Sequence, residues 1–127
     1  MLARKRGDIV LLGSVAGRQV YPGGNVYCAS KAAVRSIYES LRVELFDKGV
    51  RCTTVDPGMV QTGFSEVRFK GDKARAAKVY AGVDALQATD IADIVRFVVT
   101  RPAHVNIGEV VVWASAQASA TMVARRT

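Results

Sequence analysis

The chain reads as an α/β protein built on a short parallel sheet. Three apolar runs, over residues 9–12, 50–55 and 110–113, have strand length and are bounded by turn-forming or polar residues. Between them lie segments in which apolar residues recur every three or four positions, the spacing of amphipathic helices. Strands alternating with helical segments predict parallel pairing through right-handed crossovers.

Ile9, Val10, Leu11 and Leu12 form a continuous run stopped by Gly13, the pattern of a strand buried on both faces. Residues 17–25 hold Pro22, Gly23 and Gly24 and form a loop. Asn25 is placed to cap the helix that follows. Val26, Ala29, Ala33, Ile37, Leu41 and Leu45 mark its buried stripe, and Lys48-Gly49 closes it with a cation and a left-handed glycine. Residues 50–55 give the second strand, ended by Asp56-Pro57-Gly58. Residues 59–71 show no clean period and read as loop, followed by a short helix over 72–81. Thr89 is expected to cap the last helix, with Asp90 and Asp93 in its first turn. Ile91, Ile94, Val95 and Val98 form its buried stripe, and Pro102 stops it. Three strands leave two open edges, a liability for a parallel sheet, so the chain is expected to be part of something larger.

Composition narrows the function classes. Half of the residues are apolar and 23% are charged, an ordinary globular ratio. No apolar run approaches the ~18–20 residues of a membrane span, and the run after Arg4, Lys5 and Arg6 is too short for a signal peptide. Eighteen basic residues face eleven acidic ones. Five of the basic residues (Arg4, Lys5, Arg6, Arg125 and Arg126) sit at the two ends, and the rest nearly balance the acids. Nucleic-acid binders concentrate their cations on a face, so neither nucleic acid nor membrane is expected as a partner. Cys28 and Cys52 make no disulfide framework, and the single histidine, His104, makes no metal cluster. No metal is expected, Cys28 reads as a packing residue, and a reducing cytoplasm fits.

Of the four tyrosines, at 21, 27, 38 and 80, only Tyr27 has a lysine four positions on, Lys31. On a helix this puts phenol and ammonium on one side, a turn apart. A nearby ammonium favours the phenolate, so Tyr27 could trade a proton near neutrality; the alternative is a solvated pair on a helix face. Ser14 follows the first strand in Gly13-Ser14-Val15-Ala16-Gly17, at the strand end where open α/β sheets place ligands. It could bond a substrate oxygen, or be a turn serine. Arg68, or Lys70, in the loop after the second strand, could grip a carboxylate through charge-assisted hydrogen bonds, or be a solvated loop cation.

Taken together, Gly13-Ser14-Val15-Ala16-Gly17, Tyr27 thirteen residues after Ser14, Lys31, and Pro57-Gly58-Met59-Val60-Gln61-Thr62 resemble the second half of a classical short-chain dehydrogenase/reductase. Further segments are similar to the NADP-dependent 3-hydroxy acid dehydrogenases that also oxidise serine and allo-threonine. These are Tyr21-Pro22, Tyr27-Cys28-Ala29-Ser30-Lys31, residues 64–71 and residues 102–106. The resemblance implies the C-terminal part of a Rossmann-like, doubly wound parallel sheet. It implies that Tyr27 is the acid/base, that Lys31 lowers the phenol's pKa and holds the nicotinamide ribose, and that Ser14 holds the substrate oxygen. It also implies that Pro57, Gly58 and Val60 border the nicotinamide, that Thr62 contacts the cofactor, and that residues 62–85 form the substrate loop. The substrate it suggests is a 3-hydroxy acid, whose carboxylate Arg68 would bind.

The family also has a glycine-rich turn, T-G-x-x-x-G-x-G, whose amides meet the cofactor's pyrophosphate. No such pattern occurs here. The adenine-seating strand, the basic residues that select NADP over NAD, and the catalytic asparagine are also missing. The resemblance implies NADP as the cofactor, with NAD possible because the selecting residues are absent from this chain. The resemblance implies one partial domain over 1–127, a C-terminal fragment inactive without the other half. The expected partners are a hydroxy acid or carbonyl substrate and a homo-oligomer (dimer or tetramer) or a full-length relative. A non-catalytic remnant serving as an oligomerisation or interaction module is the alternative.

Overall fold

A computed structural model describes residues 1–126. Its central sheet has three parallel strands, β1 (Gly7–Leu12), β2 (Val50–Pro57) and β5 (Glu109–Val112), in the order β1-β2-β5. Helix α1 (Asn25–Glu44) lies between β1 and β2 in the chain, and α4 (Ala88–Val99) precedes β5. The segment after β2 is more ordered than the sequence suggests. It holds β3 (Val60–Gln61), α2 (Phe64–Arg68), α3 (Lys73–Tyr80) and β4 (Leu86–Gln87), with β3 and β4 paired in a separate parallel ribbon. The α3 boundaries agree with expectation, and Asp72 caps it by accepting from the Arg75 amide at 2.9 Å.

Burial falls on β2. Cys52, Thr54, Val55 and Asp56 are its most deeply enclosed side chains. A strand buried on both faces thus describes β2 and not β1, whose residues are half-buried until Leu12, which is 58% exposed. The reason is position, because among the described residues β1 pairs on one side only.

Helix α1 corrects a second expectation. Cys28 and Tyr38 are its buried residues, with Leu41 and Leu45 half-buried below them. Val26 and Ile37, read as core, are 77% and 52% exposed. The helix carries two apolar strips, and periodicity alone does not say which one meets the sheet. Its ends also move. Gly24 occupies the N-cap, while Asn25 starts the helix and accepts from the Val26 amide at 2.8 Å. The helix stops at Glu44, before Lys48-Gly49, although Gly49 is left-handed at φ 70°. In α4 the cap is Gln87 rather than Thr89, and only Asp90 lies in the first turn, where it accepts from the Gln87 amide at 2.7 Å. Ile91 and Val98 are buried as expected.

One arginine ties the sheet to the end of α4. Arg51 donates to Asp8 at 2.7 Å, to the Val99 carbonyl at 2.9 Å, and to the Arg101 and Val105 carbonyls at 2.9 Å each. It thereby satisfies carbonyls that the helix end leaves orphaned. Arg51→Met should lower stability by about 1.5–3 kcal/mol, the range for a hydrogen bond to a charged group. Urea denaturation followed by circular dichroism measures this, and an unchanged midpoint would show the ties to be idle.

Candidate active site

The parallel register brings the ends of β1 and β2 to one edge. Leu12 faces Val55, and the Gly13 amide continues the ladder to the Val55 carbonyl at 2.8 Å. Ser14 and the Pro57-Gly58 turn therefore leave the sheet side by side. Ser14 is buried, and its Oγ accepts from the Ala16 amide at 3.1 Å. Its own proton faces the Pro57 carbonyl at 3.5 Å, long for a hydroxyl donor. The Ser14 hydroxyl is thus fixed in place with its donor side weakly used.

A 3₁₀ turn, Val15–Gly17, carries the chain from Ser14 toward α1. Gly17 makes the approach possible, since a Cβ there would lie 2.7 Å from the Lys31 carbonyl oxygen. The contact point on α1 is thus Lys31 itself, one turn beyond Tyr27. The Lys31 Nζ lies 5.9 Å from the centre of the Tyr27 ring and donates to the Leu12 carbonyl at 3.0 Å. The three residues singled out in the sequence, Ser14, Tyr27 and Lys31, are gathered at one end of the sheet.

Helix α2 closes over Tyr27. The rings of Phe64 and Tyr27 are 5.4 Å apart and tilted at 46°. Arg68 lies 5.8 Å from the Tyr27 ring and 5.5 Å from the Tyr21 ring, and its Nη1 donates to the Tyr21 hydroxyl at 2.9 Å. None of the ion pairs among the described residues involves Arg68. The exposed Arg68 guanidinium is therefore held beside Tyr27 by the Tyr21 hydroxyl, with no carboxylate at ion-pair distance among the described residues. Lys70 lies past the helix, at φ 54°.

The remaining predicted positions line the end of β2. The Gly58 amide donates to the Val112 carbonyl at 2.7 Å. The Val60 carbonyl accepts from the Tyr80 hydroxyl at 3.0 Å, and Thr62 Oγ1 accepts from the Phe64 amide at 3.2 Å. Three supporting residues escaped the sequence reading. Buried Gln117 accepts from the Met59 amide at 2.8 Å and so fixes the turn after Gly58. Tyr80 joins Val60 to Ser65 Oγ, which donates to its hydroxyl at 2.9 Å, linking α3 to α2 and β3. Arg18 donates from Nε to Asp56 Oδ2 at 2.7 Å and also pairs with Glu109. Each acts across tens of residues, and only a lone polar side chain in an apolar or glycine-rich stretch could have signalled it.

Comparison with known proteins places this geometry. A family model described as short chain dehydrogenase matches residues 1–73. The chain belongs to the short-chain dehydrogenase family. An NADP-dependent 3-hydroxy acid dehydrogenase of Schizosaccharomyces pombe is 43% identical over 124 residues, 98% of this chain and 48% of that protein. One of Salmonella typhi, similarly named, is 50% identical over 111 residues, 87% of this chain and 45% of that protein. A solved structure described as the closed form of serine dehydrogenase complexed with NADP+ superposes with a TM-score of 0.92 at 43% identity. It covers 100% of this chain and 52% of that one. The chain spans about half the length of the curated relatives it matches. The parallel sheet of three strands with helical crossovers bears out the expected α/β class.

Electrostatics at the site's edge give a direct test. Hydrogen bonding from Arg18 holds the Glu109 carboxyl below its ordinary value, against a smaller upward push from burial. A carboxyl with a lowered folded pKa contributes stability above the unfolded value of about 4.3 and loses it as pH falls through the folded value. Carboxyl NMR titration should place Glu109 below the ordinary glutamate value, and Arg18→Met should raise it. An unmoved titration would show that Arg18 does not govern Glu109.

Proposed function

We propose that this chain supplies the proton-transfer and substrate-binding half of an NADP-dependent dehydrogenase acting on 3-hydroxy acids. The observation that carries this reading is the position of the Arg68 guanidinium, bonded to the Tyr21 hydroxyl and 5.8 Å from the Tyr27 ring. A 3-hydroxy acid has a reacting alcohol two bonds from the carbon bearing its carboxylate. Tyr27 with Ser14 suits the alcohol, and Arg68 suits the carboxylate.

The residues present fit one end of the cofactor. Pro57, Gly58 and Val60 form the edge beside Ser14 and Tyr27, where a nicotinamide would lie, with Thr62 next to it. Lys31 bonds the Leu12 carbonyl with one of its three protons and has others for a ribose hydroxyl. No T-G-x-x-x-G-x-G occurs to hold a pyrophosphate, so that contact must come from outside this sequence. When bound, the cofactor supplies hydride acceptance.

The chain's own residues do the rest. Ser14 Oγ holds the substrate oxygen. Tyr27, as phenolate, takes the hydroxyl proton while the carbon's hydride departs, leaving a carbonyl; in the reverse direction it returns the proton. The Lys31 ammonium stands 5.9 Å from the centre of the Tyr27 ring, on the side of the helix where that proton moves. Phe64 packs against the Tyr27 ring at a tilt and helps to fix its orientation.

The test joins this chain behind the N-terminal half of the Schizosaccharomyces pombe relative. The 127-residue chain alone should show no turnover. In the joined enzyme, Tyr27→Phe should cut kcat by about 10²–10⁴-fold with NADP binding kept. Arg68→Ala should raise KM for a 3-hydroxy acid and leave an uncharged alcohol nearly unchanged. Near-full kcat in Tyr27→Phe would refute the mechanism, and equal losses on both substrates would refute the carboxylate contact.

The outer face of α1 favours self-association or docking on a full-length relative. Val26, Ile37 and Val43 along α1 and Phe46 just past its end are exposed, Phe46 by 83%. Exposed large apolar side chains in this number favour association. Sedimentation velocity should find the chain larger than a monomer, and Ile37→Glu with Phe46→Glu should reduce its mass. A stable monomer at the outset would contradict this.

A further inference from the structure

The Ser14 loop closes on a single carboxylate. Asp56 is 2% exposed and sits directly before Pro57-Gly58. Its Oδ1 accepts from the Thr54 hydroxyl at 2.8 Å, and a Cβ on Gly13 would overlap that same oxygen. Its Oδ2 accepts from Arg18 Nε at 2.7 Å. Gly13 and Arg18 are the two ends of the loop that holds Ser14. One end packs on the carboxylate and the other is bonded to it.

Arg18 reaches further. Its Nη2 pairs with Glu109 at the start of β5. Glu109 also takes Arg35 of α1 at 3.6 Å. Tyr27, Lys31 and Arg35 recur every four residues, so they lie along one ridge of the helix. The chain of charges Asp56–Arg18–Glu109–Arg35 therefore runs from the end of β2, through the Ser14 loop, to the ridge that bears Tyr27.

We propose that Arg18 is a positioning residue, clamped on Asp56 and Glu109, that holds the Ser14 hydroxyl in register with Tyr27 and with the Pro57-Gly58 turn. Its catalytic meaning rests on the function proposed above. Its structural meaning does not. The guanidinium suits the task because its planar fork makes two contacts in fixed directions, which an ammonium does not.

The primary test uses the full 127-residue chain without cofactor. The amides of Gly17 and Gln19 donate to the Ser14 and Val15 carbonyls at 2.9 Å and report on the loop. In Arg18→Met their hydrogen-exchange protection should fall about ten-fold or more, with the β1 amides of Val10 and Leu11 unchanged. If that variant does not fold, Arg18→Lys carries the test, since it keeps the charge and loses the fork; a smaller loss at the same amides is expected. Unchanged exchange at Gly17 and Gln19 overturns the clamp whatever the turnover assay shows.

In the joined enzyme, Arg18→Met should lower kcat by about 10–100-fold, the scale of an ångström-sized misplacement, with KM for NADP little changed. In a Ser14→Ala background the same substitution should cost almost nothing more, because its effect passes through Ser14. Losses that multiply would overturn that route. If the unsubstituted joined enzyme is inactive, the proposed function fails, while the exchange measurement still decides the clamp.

Discussion

A carboxylate enclosed at the end of the central strand must be paired, and the site is arranged around that requirement. Asp56 is buried between β1 and β5, the strands on either side of β2. Removing one partner of a buried pair costs about 3–5 kcal/mol, less here because the Arg18 side chain is 25% exposed. The pairing draws Arg18 down onto the sheet edge, and Arg18 brings the Ser14 loop with it. The next two residues after Asp56 are Pro57 and Gly58, so the same carboxylate anchors the turn beside the expected nicotinamide position.

From that anchor the rest follows by packing. Gly17 lets the loop touch the α1 backbone at Lys31, and Lys31 returns its ammonium to the Leu12 carbonyl at the end of β1. Helix and strand are thereby locked at the level of Tyr27. Gln117 and Tyr80 do similar work on the other side, holding Met59 and Val60 from the C-terminal segment and from α3. The α2 helix, with Phe64 and Arg68, then lies over Tyr27 as part of a segment pinned at both ends.

Much of this was legible in the sequence, and the parts that were not share a cause. The three main strands, α3 and the body of α4 follow from run length, turn residues and period. The placement of Ser14, Tyr27 and Lys31 follows from their order along strand, loop and helix. The inward face of α1 does not, because Cys28 and Tyr38 on one strip compete with Val26 and Ile37 on another. Gln87 outranks Thr89 as a cap because its backbone is extended, at φ −103° and ψ 159°, a fact of the chain's path rather than of residue type. Residues 59–71 have no period, because β3 has two residues and α2 five, both too short to show one. Arg18 and Asp56 are 38 positions apart, and nothing local in either marks the other.

The central claim is that Ser14, Tyr27 and Arg68 form one binding site for a hydroxy acid. Chemical-shift mapping of the joined enzyme, saturated with NADP and titrated with 3-hydroxypropanoate, tests it most directly. The Ser14 amide, the Tyr27 ring and the Arg68 Nε–H should shift together with one binding constant, and the Arg68 signal should stay still when the corresponding amide replaces the acid. Shifts at Ser14 and Tyr27 without Arg68, or an identical Arg68 response to acid and amide, would contradict it.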